Sequence, residues 1–282
     1  MSKVNVYEMV TERICEELKK GIIPWRKPWH GVLAGAYSRS TKKPYSLLNQ
    51  MLLGKPGEWL TFNQIKQLGG SVKKGEKSKF VVFWSPIKVK ETDSEGNEVE
   101  KTIPFLKYYN VFHIEQTTGI EPLSQAEEAE ILKPIEKAEN IINNYVAKSG
   151  IKFESMISDR AYYSPSIDYV CVPALEQYSD TSEYYSTTFH ELTHSTGHKT
   201  RLDRLTSGAA AAFGGEDYSK EELVAELGAA ALCNQCGIET SNSFKNSAAY
   251  IQSWLKALKN DKRMIVNASA AAQKAVDFIL EA

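Results

Sequence analysis

The sequence predicts an α+β protein of two domains, an amino-terminal domain of mixed helix and strand around a small antiparallel sheet and a mainly helical carboxy-terminal domain. A chain of 282 residues exceeds what one small core comfortably organises. Segments 79–90 and 105–114 are rich in β-branched and aromatic residues and flank a turn, whereas the last 100 residues mostly show the 3.6-residue period of helices. A proline and a run of acidic residues within 120–133 indicate a linker at 123–133, which places the domains at 1–122 and 134–282.

The amino-terminal elements begin with an amphipathic helix. Residues 1–21 alternate charged and apolar residues at helical spacing and lack the apolar stretch of a secretory signal. Pro24 and Pro28 exclude a regular helix at 21–30 and predict that Trp25 and Trp29 lie in extended chain.

Two short helices and a β-hairpin follow. The first helix is expected at 46–53, and the second starts at Trp59 and ends at the glycine pair 69–70. Residues 78–114 predict two antiparallel strands around a solvated tip, because TDSEGNE carries turn-forming residues.

The carboxy-terminal half is expected to be helical around a few short strands. Residues 161–173 predict strands around a Ser-Pro turn. Apolar residues recur at helical spacing in the segments 136–150, 186–198, 219–237, 246–261 and 267–280.

Composition excludes a disordered chain and a membrane protein. Apolar residues make up 42% and charged residues 24%, and no apolar run approaches the roughly 18 residues of a membrane span. Four cysteines without an export signal predict reduced thiols and a cytoplasmic location. Cys233 and Cys236 form a CxxC but lack a second ligand pair, so they are interpreted as small buried helix residues rather than a zinc knuckle.

The charge is divided unevenly along the chain. Residues 1–120 hold 19 basic against 12 acidic side chains, and residues 19–90 hold 15 basic residues against only Glu58 and Glu76. Such a local field favours a polyanion, and interleaved aromatic rings favour single-stranded nucleic acid, on which bases stack. Phe62, Phe83 and Trp84 are expected in the core instead, because they lie in apolar strand or helix segments. The predicted DNA-binding residues are Trp25, Arg26, Lys27, Trp29, Arg39, Lys42, Lys43, Lys73, Lys74, Lys77 and Lys79.

The segment HELTH at 190–194 predicts a catalytic metal site. On a helix His190 and His194 lie on one face and can bind one cation, while Glu191 projects toward a bound water as general base. A hydrolytic zinc site takes three protein ligands and keeps one position for water, so a third ligand must come from elsewhere.

Three residues compete for the third position. Glu222 is favoured, because Glu222 and Glu226 stand four apart on a helix, where the first acid can bind the metal and the second can steady a ligand histidine. Glu226 itself and His198 are the alternatives, although Gly197 is typical of a helix end before His198. Tyr218, or less favourably Tyr184 or Tyr185, is a candidate for stabilising an oxyanion.

The chain resembles the ArdC-type antirestriction proteins. The resemblance covers nearly the whole chain and rests on IPWRKPW, WLTFNQIKQLGGSVKKGEKS, YYNVFHIEQTTGI, YYSTTFHELTHSTGHKTRLDR, YSKEELVAELGAA and AAYIQSWLKALKND. It implies an amino-terminal domain that binds single-stranded DNA, a zincin-like metallopeptidase domain, and protection of an entering mobile element from host restriction. It also implies metal ligands at His190, His194 and a glutamate of EELVAE.

Two functions therefore compete. The first is an antirestriction protein that binds single-stranded DNA with little sequence preference and carries a Zn2+ metallopeptidase site, with a host protein as substrate; another divalent transition metal remains open. The second is a non-catalytic protein that coats single strands, in which the zincin domain is a metal-stabilised scaffold.

Overall fold

The computed structural model describes residues 5–26, 35–92, 98–123, 134–178, 180–205, 216–239 and 248–281. The helices in these ranges are α1 Val6–Lys19, α2 Leu47–Leu53, α3 Phe62–Gln67, α4 Pro134–Ser149, α5 Thr181–Ser195, α6 Glu216–Cys236, α7 Ala248–Asn260 and α8 Met264–Leu280. The strands are β1 Ala36–Ser38, β2 Gly57–Leu60, β3 Ser71–Val72, β4 Lys79–Thr92, β5 Glu98–His113, β6 Thr117–Thr118, β7 Lys152–Met156, β8 Tyr162–Ser164 and β9 Tyr169–Pro173.

The predicted hairpin forms the main part of the amino-terminal sheet. Strands β4 and β5 pair antiparallel from Lys79 opposite Val111 to Thr92 opposite Glu98, and the tip at 93–97 lies outside the described residues. The sheet order is β1-β2-β5-β4, with β1 parallel to β2. The α+β fold class predicted from the sequence is confirmed.

The expected helix from Trp59 is wrong at its start. Trp59 and Leu60 belong to β2, and helix α3 begins after Thr61, whose side chain accepts a hydrogen bond from the Gln64 N–H. The Gln64 side chain in turn accepts from the Thr61 N–H, which completes a capping box. Strand pairing of Trp59 with His113 buries the indole, and this tertiary contact outweighs the local helical pattern.

Helix α2 covers the free edge of β4. The buried Asn49 amide donates to the Val82 carbonyl and accepts from the Val82 N–H, both at 2.8 Å. One side chain thus satisfies both backbone groups that Val82 presents outside the hairpin. The α2 amino terminus is held in turn by α8, where the Gln273 side chain accepts from the Leu47 N–H at 2.9 Å.

One hydrophobic cluster joins the two halves of the sequence. Apolar residues of α1 and α2 pack there with α6, α7 and α8, and Val82 and Leu106 from the hairpin complete it. The Thr11 hydroxyl also donates to the Lys262 carbonyl at 2.8 Å. The boundaries at 1–122 and 134–282 stay a prediction, and most of the expected linker lies outside the described residues.

The Trp25 segment departs from its predicted extended form. Pro24–Arg26 forms a single 3-10 turn, and Trp25 is 1% exposed in the shared cluster. Its indole packs edge-on against Trp254 of α7, with ring centroids 6.2 Å apart. The two tryptophans are more than 200 residues apart in sequence, so local patterning does not reveal this burial.

A second cluster organises the carboxy-terminal half. The three-stranded sheet has the order β7-β9-β8, with β9 parallel to β7 and antiparallel to β8. Helices α4, α5, α6 and α8 pack on it through this cluster, which includes Cys233 and Cys236. All four cysteines are free and buried. Among the described residues there is no helix of the length and hydropathy needed to cross a membrane.

Candidate metal centre

Helix α5 carries the HELTH segment and has clear ends. The Asp180 side chain accepts from the Ser182 N–H at 2.8 Å and caps the amino terminus. At the other end the Gly197 N–H donates to the His194 carbonyl at 2.9 Å, and the Leu202 N–H returns to donate to the Thr196 carbonyl at 2.9 Å. His190 and His194 therefore lie one turn apart on the last turns of the helix, on a common face.

The three predicted ligands converge. The Nε2 atoms of His190 and His194 are 3.1 Å apart, and the Glu222 carboxylate lies 3.5 Å from the first and 3.4 Å from the second. A tetrahedral metal with ligands at 2.0–2.1 Å would separate its ligand atoms by about 3.3–3.4 Å. The observed distances match that separation, so two imidazoles and one carboxylate fit a divalent metal with a further position left for water.

A close helix crossing brings Glu222 to the histidines. Helix α6 approaches α5 at Gly228, where an added Cβ would lie 2.5 Å from Thr193 Cγ2. Thr193 is fully buried and its hydroxyl donates to the Phe189 carbonyl, so it has little freedom to move away. Glycine at 228 permits the spacing at which a carboxylate of α6 reaches the histidines of α5.

Glu221, rather than the expected Glu226, supports the second histidine. Glu221 Oε1 lies 3.3 Å from His194 Nδ1, opposite the ring nitrogen that faces Glu222. Residues 221 and 222 project about 100° apart on a helix, so neighbouring carboxylates reach the two nitrogens of one ring. The role predicted for Glu226, to steady a ligand histidine, is thus filled at His194 by Glu221.

Arg204 fixes Glu221 and closes the end of α5. Its guanidinium donates to both carboxylate oxygens of Glu221, at 2.8 and 3.2 Å. It also donates to the Thr193 carbonyl at 2.9 Å and the Thr196 hydroxyl at 2.7 Å. Sequence reasoning missed this pair, although the adjacent glutamates in KEELVAE offered a choice of two carboxylates.

His198 is separate from the cluster. Helix α5 ends before it, and its Nδ1 lies 2.8 Å from the Thr200 hydroxyl. Among the described residues, the group that can hold a metal consists of His190, His194 and Glu222. The alternative third ligand at His198 is therefore not supported by this geometry.

The catalytic candidate Glu191 is buried beside the cluster. Glu191 is only 8% exposed. Burial raises the pKa of its carboxyl, although the charges of His190 and His194 act in the opposite direction. The Tyr163 backbone of β8 lies beside the carboxylate and also acts to lower this pKa. A buried carboxyl with a raised pKa suits a group that accepts a proton and returns it.

The charges of the cluster are strongly coupled. Burial opposes a charged His194, but its hydrogen bonds with Glu221 and Glu222 outweigh burial and raise its pKa to about 10. Burial would raise the pKa of Glu222, yet hydrogen bonds from His190 and His194 lower it. In the absence of a metal the cluster therefore retains a proton, which a metal ion must displace.

The oxyanion candidates divide into two groups. Tyr184 and Tyr185 are buried in the second cluster, and the Tyr185 hydroxyl donates to Glu139 at 2.8 Å. These contacts assign both tyrosines to packing rather than to the site. The Tyr218 side chain lies outside the described residues.

The predicted DNA-binding residues are only partly on the surface. Trp25 is buried and cannot stack on a base, which corrects its assignment. Arg39 is 13% exposed and paired with the buried Glu58, while the Lys79 ammonium donates to the Leu53 carbonyl. These two cations are committed to the fold. The exposed members are Lys42, Lys43, Lys73, Lys74 and Lys77, whereas Lys27, Trp29 and the Arg26 side chain lie outside the described residues.

Two protein families match different parts of the chain. Residues 4–112 match the family described as the N-terminal domain of anti-restriction factor ArdC, and residues 137–271 match the zincin-like metallopeptidase family. The chain is 36% identical over 99% of its length to the DNA primase TraC of Escherichia coli, of which it spans 27%. It is 31% identical over 98% of its length to the uncharacterized protein y4eC of Sinorhizobium fredii, covering 91% of that protein.

Two solved structures share the whole architecture. Both are of the antirestriction protein ArdC from plasmid R388. The metal-free structure has a TM-score of 0.76 and 36% identity, covering 99% of this chain and 97% of the other. The Mn(II)-bound structure has a TM-score of 0.75 and 35% identity, covering 99% and 98%. Over nearly its full length, therefore, the chain belongs to the ArdC antirestriction family and combines an ArdC amino-terminal domain with a zincin-like metallopeptidase domain.

Proposed function

We propose that this protein binds the single-stranded DNA of an entering mobile element in the cytoplasm and protects it from host restriction with the help of a zinc metallopeptidase site. The observation that carries the catalytic half is the convergence of His190, His194 and Glu222 at tetrahedral spacing beside the buried Glu191. The R388 relative was solved with Mn(II), so a divalent metal is supported by kinship as well as by geometry.

The proposed site assigns separate roles to its residues. His190, His194 and Glu222 would hold the metal, which when bound would lower the pKa of a water molecule and polarise a substrate carbonyl. Glu191 would accept a proton at its carboxylate and return it to the departing amide nitrogen. Glu221, held by Arg204, accepts a hydrogen bond from His194 Nδ1 and thereby keeps Nε2 free for the metal.

Binding of single-stranded DNA is supported by the charge of the amino-terminal half. Lys42, Lys43, Lys73, Lys74 and Lys77 are exposed and can contact phosphates, Lys73 while its Nζ also donates to the Glu115 carbonyl at 2.7 Å. The sequence shows no base-reading motif, which favours binding with little sequence preference. The TraC relative is named as a primase, but this chain spans about a quarter of it, so primase activity forms no part of the proposal.

The test substitutes the general base without touching the ligands. Glu191→Gln should retain one equivalent of metal and full affinity for single strands, but lose protection of a plasmid that enters a restricting host by conjugation. A host protein cut only in the presence of wild-type protein would identify the substrate. Full protection by the Glu191→Gln variant would contradict a catalytic role and favour the alternative, a non-catalytic coat whose zincin domain is a scaffold.

The DNA half has its own test. Reversal of charge at Lys73, Lys74 and Lys77 should weaken binding to an oligonucleotide of thymidines at low salt and leave metal content unchanged. Unchanged affinity of the reversed variant would remove this loop from the proposed binding surface.

A further inference from the structure

Several large aromatic side chains of the hairpin are exposed, among them Phe83, which was predicted to lie in the core. Phe83 is 40% exposed, Phe105 43% and Tyr109 37%. Rings of this size are normally buried, and a group of them on one surface usually marks a binding site.

These three rings share one face of the β4–β5 ribbon. Phe83 lies opposite Lys107, Val81 opposite Tyr109 and Ser85 opposite Phe105. Alternation along β5 therefore gives the row Phe105, Lys107, Tyr109 with about 7 Å between neighbours. Phe83 stands beside this row, with its ring centroid 5.3 Å from that of Tyr109. We refer to Phe83, Phe105, Lys107 and Tyr109 as the aromatic platform.

The exposed rings of the opposite face have structural partners. Trp84 packs against Tyr7 of α1, with centroids 6.3 Å apart, and Tyr108 packs against Phe80 at 6.3 Å. Their partners Tyr7 and Phe80 pack against the cluster that joins the two halves of the chain. In the aromatic platform the ring contact among the described residues is the one between Phe83 and Tyr109, and Tyr109 also lies beside Tyr45.

That contact also brings positive charge to the aromatic platform. Tyr109 lies beside Tyr45, and burial together with this neighbouring hydroxyl raises the pKa of Tyr45. Tyr45 lies two residues after Lys43, on the segment that also carries the exposed Lys42. Lys107 is exposed within the row itself. The nearby acidic residue Glu58 is 4% exposed and is neutralised by Arg39, so it offers little repulsion to an anion.

We propose that the aromatic platform is the base-stacking part of the single-strand binding site, where bases lie on Phe105 and on the Phe83–Tyr109 pair while Lys107 contacts a phosphate between them. This inference rests on the proposed single-strand binding and assigns it a surface. Phe105 and Tyr109 are two steps of the row, about 14 Å, apart, with Lys107 midway between them. Rings stack on any base, which accounts for binding without sequence preference. Duplex DNA offers no unstacked base and should gain little from the rings.

The test removes the rings one at a time and measures binding of labelled oligonucleotides by anisotropy. Phe83→Ala and Phe105→Ala should each weaken single-strand binding about 5- to 150-fold and leave the weaker duplex binding nearly unchanged. Phe83→Tyr and Phe105→Tyr keep a stacking surface and should retain affinity. Phe62→Ala is the matched control, because Phe62 is 46% exposed on α3 and lies outside the aromatic platform.

A charge test addresses Lys107 separately. Lys107→Gln should lower the slope of log affinity against log salt by about 0.7, the value for one phosphate contact on a single strand, while Lys66→Gln beside Phe62 should not.

The outcomes separate this inference from the function on which it rests. If wild-type protein binds single strands and the two alanine variants bind equally well, the aromatic platform is not the site, although the proposed function stands. If wild-type protein binds no single strand, the DNA half of the proposed function fails. If the alanine variants instead convert a dimer to a monomer in sedimentation with unchanged DNA affinity, the aromatic platform is a contact between two copies and the inference is overturned.

Discussion

Glu221→Gln is the sharpest test of whether the Glu221 carboxylate holds His194 in position to bind the metal. The change removes the charge that accepts from His194 Nδ1 at 3.3 Å, in a pair whose side chains are only 14% and 16% exposed. A charge-assisted hydrogen bond at that degree of burial contributes about 1.5–3 kcal/mol. Loss of a hydrogen bond to the far nitrogen of a ligand histidine lowers metal affinity about 10- to 100-fold, which corresponds to about 1.4–2.7 kcal/mol and so agrees with that value.

The assay is titration of metal-free protein with Zn2+ in competition with a chelator, combined with thermal unfolding. Wild-type protein at a metal concentration 100 times its Kd gains about 2.7 kcal/mol, and a tenfold weaker variant gains about 1.4 kcal/mol. Glu221→Gln should therefore show a metal-induced rise in Tm about 2–4 °C smaller than wild type.

Glu136→Gln, at an exposed carboxylate of α4, is the control for loss of one negative charge, and unfolding without metal separates loss of affinity from loss of folding. Arg204→Lys should produce a smaller effect in the same direction, because a lysine cannot make the paired contacts of the guanidinium. If Glu226→Gln weakened metal binding and Glu221→Gln did not, the assignment of Glu221 to His194 would be refuted.

Three further predictions concern the scaffold. Asn49→Ala should lower the unfolding free energy by about 2–4 kcal/mol, because it leaves the Val82 N–H and C=O without partners. The control Asn110→Ala, at an exposed side chain of β5, should change it by less than about 0.5 kcal/mol. Equal losses would contradict the proposed role of Asn49 in capping the edge of β4. Burial would raise the pKa of Asp168, but hydrogen bonds from Arg201 and Tyr163 outweigh burial and lower that pKa. The ionised Asp168 therefore contributes fully to the free energy of unfolding above the pKa of an unfolded aspartate, near 4, and this contribution disappears as pH falls through the lower pKa of the folded state. Asp168→Asn should therefore cost about 1–2 kcal/mol at pH 7 and progressively less below pH 4, with Asp159→Asn as control, and a cost independent of pH would exclude the ion pair as its source. Gly228→Ala should cost about 1–3 kcal/mol and weaken metal binding, since the new methyl meets Thr193, and Thr193→Ser in the same chain should restore part of both; absence of rescue would place the effect elsewhere.

The local patterns predicted most elements and the convergence of His190, His194 and Glu222. The two histidines share a helix, where the spacing of four residues places them on one face. The acidic helix that carries Glu222 follows within about 30 residues in sequence, as expected for the third ligand of such a site. Glu221 and Arg204 escaped prediction because their contacts join α5, α6 and the segment after Gly197 through space. No periodicity records such a contact.

The errors in the amino-terminal half have the same origin. Trp25 was expected to bind DNA, but its partner Trp254 lies in the opposite half of the sequence. Phe83 and Trp84 were expected in the core because an apolar strand is normally covered on at least one face. In this ribbon the buried residues on the face of Phe83 end at Val81, and those on the face of Trp84 end at Val82 and Leu106, so the rings at this border remain partly exposed.

The metal centre is tested most directly by the crystal structure of protein loaded with Zn2+, with the ion located from its anomalous scattering. The geometry predicts one ion about 2.0–2.2 Å from His190 Nε2, His194 Nε2 and a Glu222 oxygen, with Glu191 outside ligand distance and facing the remaining position. An ion bound by His198 or Glu226, or an ion that Glu191 itself ligates, would contradict the proposed centre.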